Sequence, residues 1–170
     1  ALEEMKRRND ILRTAYFEGD EVSQQLVMDD CSVEVPFLDF SAATNAQERL
    51  ENYVKGMRDQ SLDIETGEVM KASLVTLSDT EPALVLIHHH ICIDRGSSQS
   101  FLEQFTSIYD SLRRGTNLET IPQPPVSYGQ FSRWHNDRLA SKEMQRSLDF
   151  WMAEFQEKPE PMKLLPFAQL

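Results

Sequence analysis

Three of the four histidines stand side by side, His88-His89-His90, at the end of the most apolar run in the chain. Asp94 follows, and Gly96-Ser97-Ser98 lead from there into a helical pattern. An imidazole titrates near neutrality, so a strand that delivers histidines to a loop can supply a general base. The same residues admit two other readings. His88, His90 and Asp94 make a two-histidine, one-carboxylate metal set. Alternation along a strand sends His88 and His90 to one face and His89 to the other, so at least one of the three has a structural role. On these residues alone catalysis, metal binding and structure all stay open.

The elements around the histidines mix strands and helices, which predicts α/β or α+β layers. Residues 2–8 are polar and helix-favouring, with Leu2 and Met5 three apart. Residues 11–17, 22–28 and 33–40 read as strands, the last carrying an edge-type Pro36. Leu50, Val54 and Met57 recur at helical spacing and predict a helix over 45–57. Residues 69–77 and 83–93 read as a hairpin whose second strand is buried on both faces. Ser97 or Ser98 is positioned to cap a helix reaching Arg114, with Gly115 as its stop. Three prolines make residues 121–126 an extended connector. Residues 128–156 are helical again, and the proline-broken tail 158–170 leads onward. The chain therefore reads as one lobe over 1–157 with a linker-like tail.

Charge and composition narrow the function classes. Acidic residues outnumber basic ones by 28 to 17, a net charge of −11, which argues against nucleic-acid backbones as partners. No apolar run reaches membrane-span length. The two cysteines, Cys31 and Cys92, lack the spacing of a zinc site or disulfide framework, so a reducing, cytoplasmic setting is expected.

Four segments in order carry a family resemblance. His89-His90-Ile91-Cys92-Ile93-Asp94 resembles the HHxxxDG motif of nonribosomal peptide synthetase condensation domains. Arg8-Asn9-Asp10-Ile11-Leu12-Arg13-Thr14-Ala15-Tyr16 resembles that family's RHExLRTxF segment. Residues 62–71, Leu-Asp-Ile-Glu-Thr-Gly-Glu-Val-Met-Lys, resemble FDLxxGPLxR. Tyr128-Gly129-Gln130-Phe131-Ser132-Arg133-Trp134 resembles YxDYAxW. The tail Leu164-Leu165-Pro166-Phe167-Ala168 is similar to condensation domains of fungal polyketide–peptide hybrid synthases.

The resemblance implies a chloramphenicol-acetyltransferase-like fold of two lobes, of which this chain matches the N-terminal one without its first strand. It implies acyl transfer, in which an acceptor amine attacks a carrier-bound acyl thioester. His90 then matches the base, His89 a packing residue, and Asp94 a structural partner of Arg13. Arg95, Gly96 and Ser97 border the substrate tunnel. No metal and no cofactor resident in this lobe are implied. The phosphopantetheine arms belong to partner acyl and aminoacyl carrier proteins, and the second lobe is the remaining partner. One departure stands inside the motif: Arg95 occupies the glycine position, and glycine arrives one place late at Gly96. A degenerate, non-catalytic module that docks a carrier protein or a polyketide synthase neighbour is the alternative.

Overall fold

A computed structural model of the 170-residue chain describes every residue except 21, 79, 159, 161 and 163–170. Contacts divide the chain into two compact units, Ala1–Tyr128 and Gly129–Leu170.

The first unit opens with α1 (Leu2–Arg8), whose Leu2 and Met5 are both buried, as their spacing predicts. Acidic Glu3 and Glu4 in its first turn and basic residues in its last complement the helix dipole. The extended reading of residues 11–17 holds only in part. Asp10–Arg13 form a 3-10 turn, closed where Thr14 Oγ1 donates to the Asp10 carbonyl at 2.7 Å. Strand β1 (Thr14–Glu18) then pairs antiparallel with β2 (Ser23–Val27). Gly19 is required in that hairpin, because a Cβ there would lie 2.6 Å from the Val22 carbonyl oxygen.

The second sheet has the order β3-β4-β5, with β4 (Met70–Thr76) in the centre. It runs parallel to β3 (Phe37–Asp39) and antiparallel to β5 (Pro82–His88). β3 is shorter than the alternation of residues 33–40 predicts. Pro36 has no N–H to donate, and contributes only its carbonyl, to Leu74 N at 2.9 Å. The hairpin is as expected, but its buried member is the other strand. In β4, Ala72, Ser73 and Val75 are buried, whereas Val85 is the one buried residue of β5 and Leu84 is 39% exposed.

Helix α2 (Ala46–Asp59) covers one sheet face, laying Leu50, Tyr53, Val54 and Met57 against Phe40, Val75 and Val85. Buried Ser73 finds its partner there, with 2.7 Å between Tyr53 Oη and Ser73 Oγ. Helix α3 (Arg95–Arg114) completes the unit. Its Ile108 is fully buried in a core shared with Met5, Leu12, Ile93 and Ile121. Gly115, at φ 65°, ends the helix in the left-handed region. Residues 121–127 form neither helix nor strand, as three prolines require.

In the second unit, the helical reading of residues 128–156 resolves into α4 (Tyr128–Leu139), which begins at the unit boundary, and α5 (Lys142–Glu154). Ser141 breaks the pattern by capping α5, its hydroxyl accepting from Met144 N at 3.2 Å. Arg138 stacks 5.6 Å over the Trp134 ring, and Trp151 stacks on Phe155 at 5.7 Å. The expected tail 158–170 lies outside the described residues except for 158, 160 and 162.

Candidate functional site

The histidine run does not continue as strand. His88 is the last residue of β5, paired with Met70. His89 N adds one more bond, to the Val69 carbonyl at 2.9 Å, and residues 90–92 then turn. The alternation expected for His88, His89 and His90 therefore stops before His90. The turn is held from within. His89 Nδ1 accepts from Ile91 N at 3.0 Å. Cys92 N and Sγ both donate to the His89 carbonyl, each at 3.1 Å. Burial pushes the Cys92 thiol up to about 11. Ile93, only 4% exposed, fastens the end of the turn to the core beneath.

Asp94 starts α3. Its carboxylate accepts from Ser97 N at 2.7 Å and from Ser97 Oγ at 2.7 Å, while Asp94 N donates to Ser97 Oγ at 2.9 Å. This reciprocal cap occupies the carboxylate. The hydroxyl and backbone bonds from Ser97 hold it below the usual carboxylate range, with a smaller contribution from the charge of His90.

The expected Arg13–Asp94 pair is not formed. Arg13 points to its own neighbourhood: Nη2 reaches Asp10 Oδ1 at 2.5 Å, Nε donates to the Lys6 carbonyl at 3.1 Å, and Nη1 donates to the Met28 carbonyl. The 3-10 turn at Asp10–Arg13 puts Asp10 within reach, and the helix cap has already engaged Asp94. His88, His90 and Asp94 do not assemble as metal ligands either. Among the described residues no group of three or more His, Cys, Asp or Glu side chains does.

Two contributors escape a reading of spacing alone. Arg8, with a side chain 5% exposed, pairs with Glu4 at 2.6 Å and donates to the Leu118 and Ile121 carbonyls at 2.8 and 3.0 Å. It ties α1 to the connector after α3. Asn9 bonds Gln104 of α3 at 2.7 Å. The signal for Arg8 was its i, i+4 spacing from Glu4. An open groove of about 270 Å³ runs beside the turn, bordered by Asn9, Ile11, Cys92, Ser97 and Phe101. A larger cavity, about 690 Å³, lies instead along β4 between Lys6, Tyr53 and Met57, and no histidine borders it. The groove borders the turn through Cys92, Ile93 and Ser97, and no histidine lines it either.

Of the expected site residues, His89 through Ser97 thus share one strand-turn-helix corner, and Arg13 lies outside its bonding network. Within that corner the side chains of His89, Cys92, Asp94, Ser97 and Ser98 are all engaged. His90 and Arg95 are exposed, and neither forms a hydrogen bond or ion pair with the described residues.

The family model described as "Condensation domain" matches residues 1–169. The hybrid PKS-NRPS synthetase pynA of Aspergillus niger is 46% identical over 169 residues, which are 99% of this chain and 4% of that protein. The hybrid PKS-NRPS synthetase pyvA of Aspergillus violaceofuscus is 44% identical over 172 residues, again 99% of this chain and 4% of the relative. The chain thus spans a small part of the relatives it matches. The starter condensation domain of rhizomide synthetase RzmA superposes with a TM-score of 0.82 at 18% identity, covering 94% of this chain and 38% of that one. The epimerization domain of tyrocidine synthetase B superposes with a TM-score of 0.81 at 18% identity, covering 95% and 36%. The fold is the chloramphenicol-acetyltransferase-like one of those domains, and the chain belongs to the condensation-domain family found in nonribosomal peptide and hybrid polyketide–peptide synthetases.

Proposed function

We propose that this chain is the N-terminal lobe, over residues 1–157, of an acyl-transferring condensation domain in a multidomain synthase. Residues 158–170 then lead toward a second lobe. His90 is the proposed base: it takes the proton, or orients the acceptor amine, as that amine attacks the carrier-bound acyl thioester. The amide bond forms, the carbon–sulfur bond breaks, and the donor thiol leaves with a proton. The same imidazole can donate to the tetrahedral oxyanion as its charge develops. Two phosphopantetheine arms, on acyl and aminoacyl carrier proteins, would bring the reactants together, and no metal is needed.

One observation carries the reading. In a corner where the side chains of His89, Cys92, Asp94, Ser97 and Ser98 are committed to holding the turn, the His90 imidazole is left exposed and forms no hydrogen bond with the described residues. His89 and Asp94 support it, the first through its bond from Ile91 and the second through the cap of α3. Arg95 in place of the motif glycine favours a second reading, a non-catalytic module that docks a carrier protein or a polyketide synthase neighbour.

The test is His90→Ala in the complete synthase, with carrier-bound intermediates read by mass spectrometry. Acyl transfer predicts that the acyl thioester stays loaded on its carrier while transfer falls by about 10²–10⁴-fold. Unchanged transfer would put the docking module in its place.

A further inference from the structure

Two side chains in the corner form no hydrogen bond or ion pair with the described residues: His90, which is linked to Asp94 only through its charge, and Arg95, at the first position of α3. The imidazole is accounted for by the proposed function. The guanidinium is not.

Most cations of the first unit are engaged, and among the described residues Arg95 shares its lack of a partner with Lys55 and Arg58 of α2. Arg7 and Arg8 pair with Glu4, Arg13 with Asp10, Lys71 with Glu68, and Arg113 and Arg114 with Asp110. Arg49 stacks on Phe40 and Lys6 donates to the Ser32 carbonyl. Arg95 has none of these, although its sequence neighbour Asp94 is an acid. That carboxylate is turned back into the cap, where Ser97 supplies two hydrogen bonds. Within a chain of net charge −11, a guanidinium left open beside the candidate base calls for an explanation.

The residue after it adds a second observation. Gly96 sits in a helix, where glycine is unfavourable, yet nothing among the described residues demands it. Its φ is not positive, and an added Cβ would meet nothing nearer than Asp94 Oδ1, at 3.5 Å. Glycine at such a place leaves room for something that approaches from outside the chain. Cation and clearance lie side by side, in the same corner as His90.

We propose that Arg95 determines specificity by binding a carboxylate carried on the substrate. A planar guanidinium grips a carboxylate with two parallel N–H···O bonds, which a neutral amide cannot reproduce. The carboxylate can belong to the donor acyl chain or to the side chain of the acceptor. This inference rests on the acyl-transfer reading of His90.

The experiment uses the complete synthase and two matched pairs of substrates. One pair is a donor acyl chain ending in a carboxylate or in its carboxamide; the other is an aspartyl or asparaginyl acceptor. The expected result is a preference of about 10–100-fold in KM for the carboxylate member of one pair, lost in Arg95→Gln and partly kept in Arg95→Lys. The pair that shows it identifies the source. No carboxylate preference in the wild type, or an equal loss on all four substrates in Arg95→Gln, would overturn the proposal. So would a change confined to kcat, which would make Arg95 a transition-state group. His90→Ala run in parallel keeps the two readings apart: if it transfers like the wild type, acyl transfer by His90 fails whatever Arg95 does. Equilibrium binding of non-reactive amide analogues of the same pairs tests Arg95 without turnover, and must show the same preference.

Discussion

Asp94 and Ser97 cap each other at the start of α3: the serine N–H and hydroxyl both reach the aspartate carboxylate at 2.7 Å, and Asp94 N reaches the serine oxygen at 2.9 Å. A motif aspartate expected to work through a distant arginine works through a residue three places along. The next residue, Arg95, is thereby left open.

The cap makes a pH prediction. The Ser97 bonds favour the charged carboxylate, so the Asp94 pKa is lower folded than unfolded. Its contribution to stability is complete above the unfolded value and fades as pH falls through the folded one. Asp94→Asn should keep most of the cap at neutral pH and flatten this acidic dependence. Asp94→Ala should lower the melting temperature at neutral pH. Combined with Arg13→Ala, its effect should be additive, because the two side chains share no partner. Strong coupling in that double-mutant cycle would restore the direct pair.

Arg8 is the arginine whose loss should matter most for stability. Glu4 is penalised by burial, but the bonds from Arg8 and Arg7 prevail and hold its pKa low. Arg8→Ala would leave Glu4 without its most buried partner and strip the Leu118 and Ile121 carbonyls of their donor. A loss of about 3 kcal/mol is expected in chemical denaturation of the complete domain. Arg7→Ala, whose side chain is 60% exposed, should change stability little.

Helix positions were the most legible part of the sequence. The apolar spacing of α2, the extent of α3 and its Gly115 stop survive almost unchanged. The end of β5 was not legible, because Ile91 and Ile93 continue its apolar run. Ile93 is apolar for another reason, as a plug that seats the turn in the core. The partner of Arg13 was hidden by the same kind of error: read as strand, residues 11–17 do not place Asp10 beside it, whereas a 3-10 turn does. The histidine corner was legible as a motif. Which of its side chains are spent on holding the turn became visible only from their bonds.

Alkaline pH should weaken the fold through two buried groups. Burial raises the Cys92 thiol from 9.0 to about 11 and the Tyr16 phenol from 10.0 to about 12. Between the unfolded and folded values the unfolded chain holds fewer protons, so stability falls as pH climbs from about 9 toward 12. Tyr16 stands where the family segment has phenylalanine, and its buried hydroxyl lies near Thr14 but forms no hydrogen bond of good geometry among the described residues. Tyr16→Phe should therefore be neutral or stabilising at pH 7, and should remove the upper part of the alkaline loss. Equilibrium denaturation at pH 7, 9 and 11 reads both effects; a destabilised Tyr16→Phe at pH 7 would mean the hydroxyl has a partner.

His89 and His90 should separate stability from transfer. His89 is half-buried, and its ring accepts the Ile91 N–H that shapes the turn, so His89→Ala orphans that donor and loosens the corner. A cost of about 1–2 kcal/mol is expected, with transfer reduced because His90 is no longer held in place. His89→Asn can offer an oxygen to the same N–H and should recover part of both. His90 makes no bond that the fold depends on, so His90→Ala should leave denaturation midpoints unchanged while transfer collapses. The pH profile supplies the discriminating readout. If His90 is the base, kcat/KM in the wild type rises with pH as the base gives up its proton, and that limb must persist in His89→Asn, because the imidazole responsible is still present. Its disappearance in His89→Asn would move the proton-transfer role from His90 to His89.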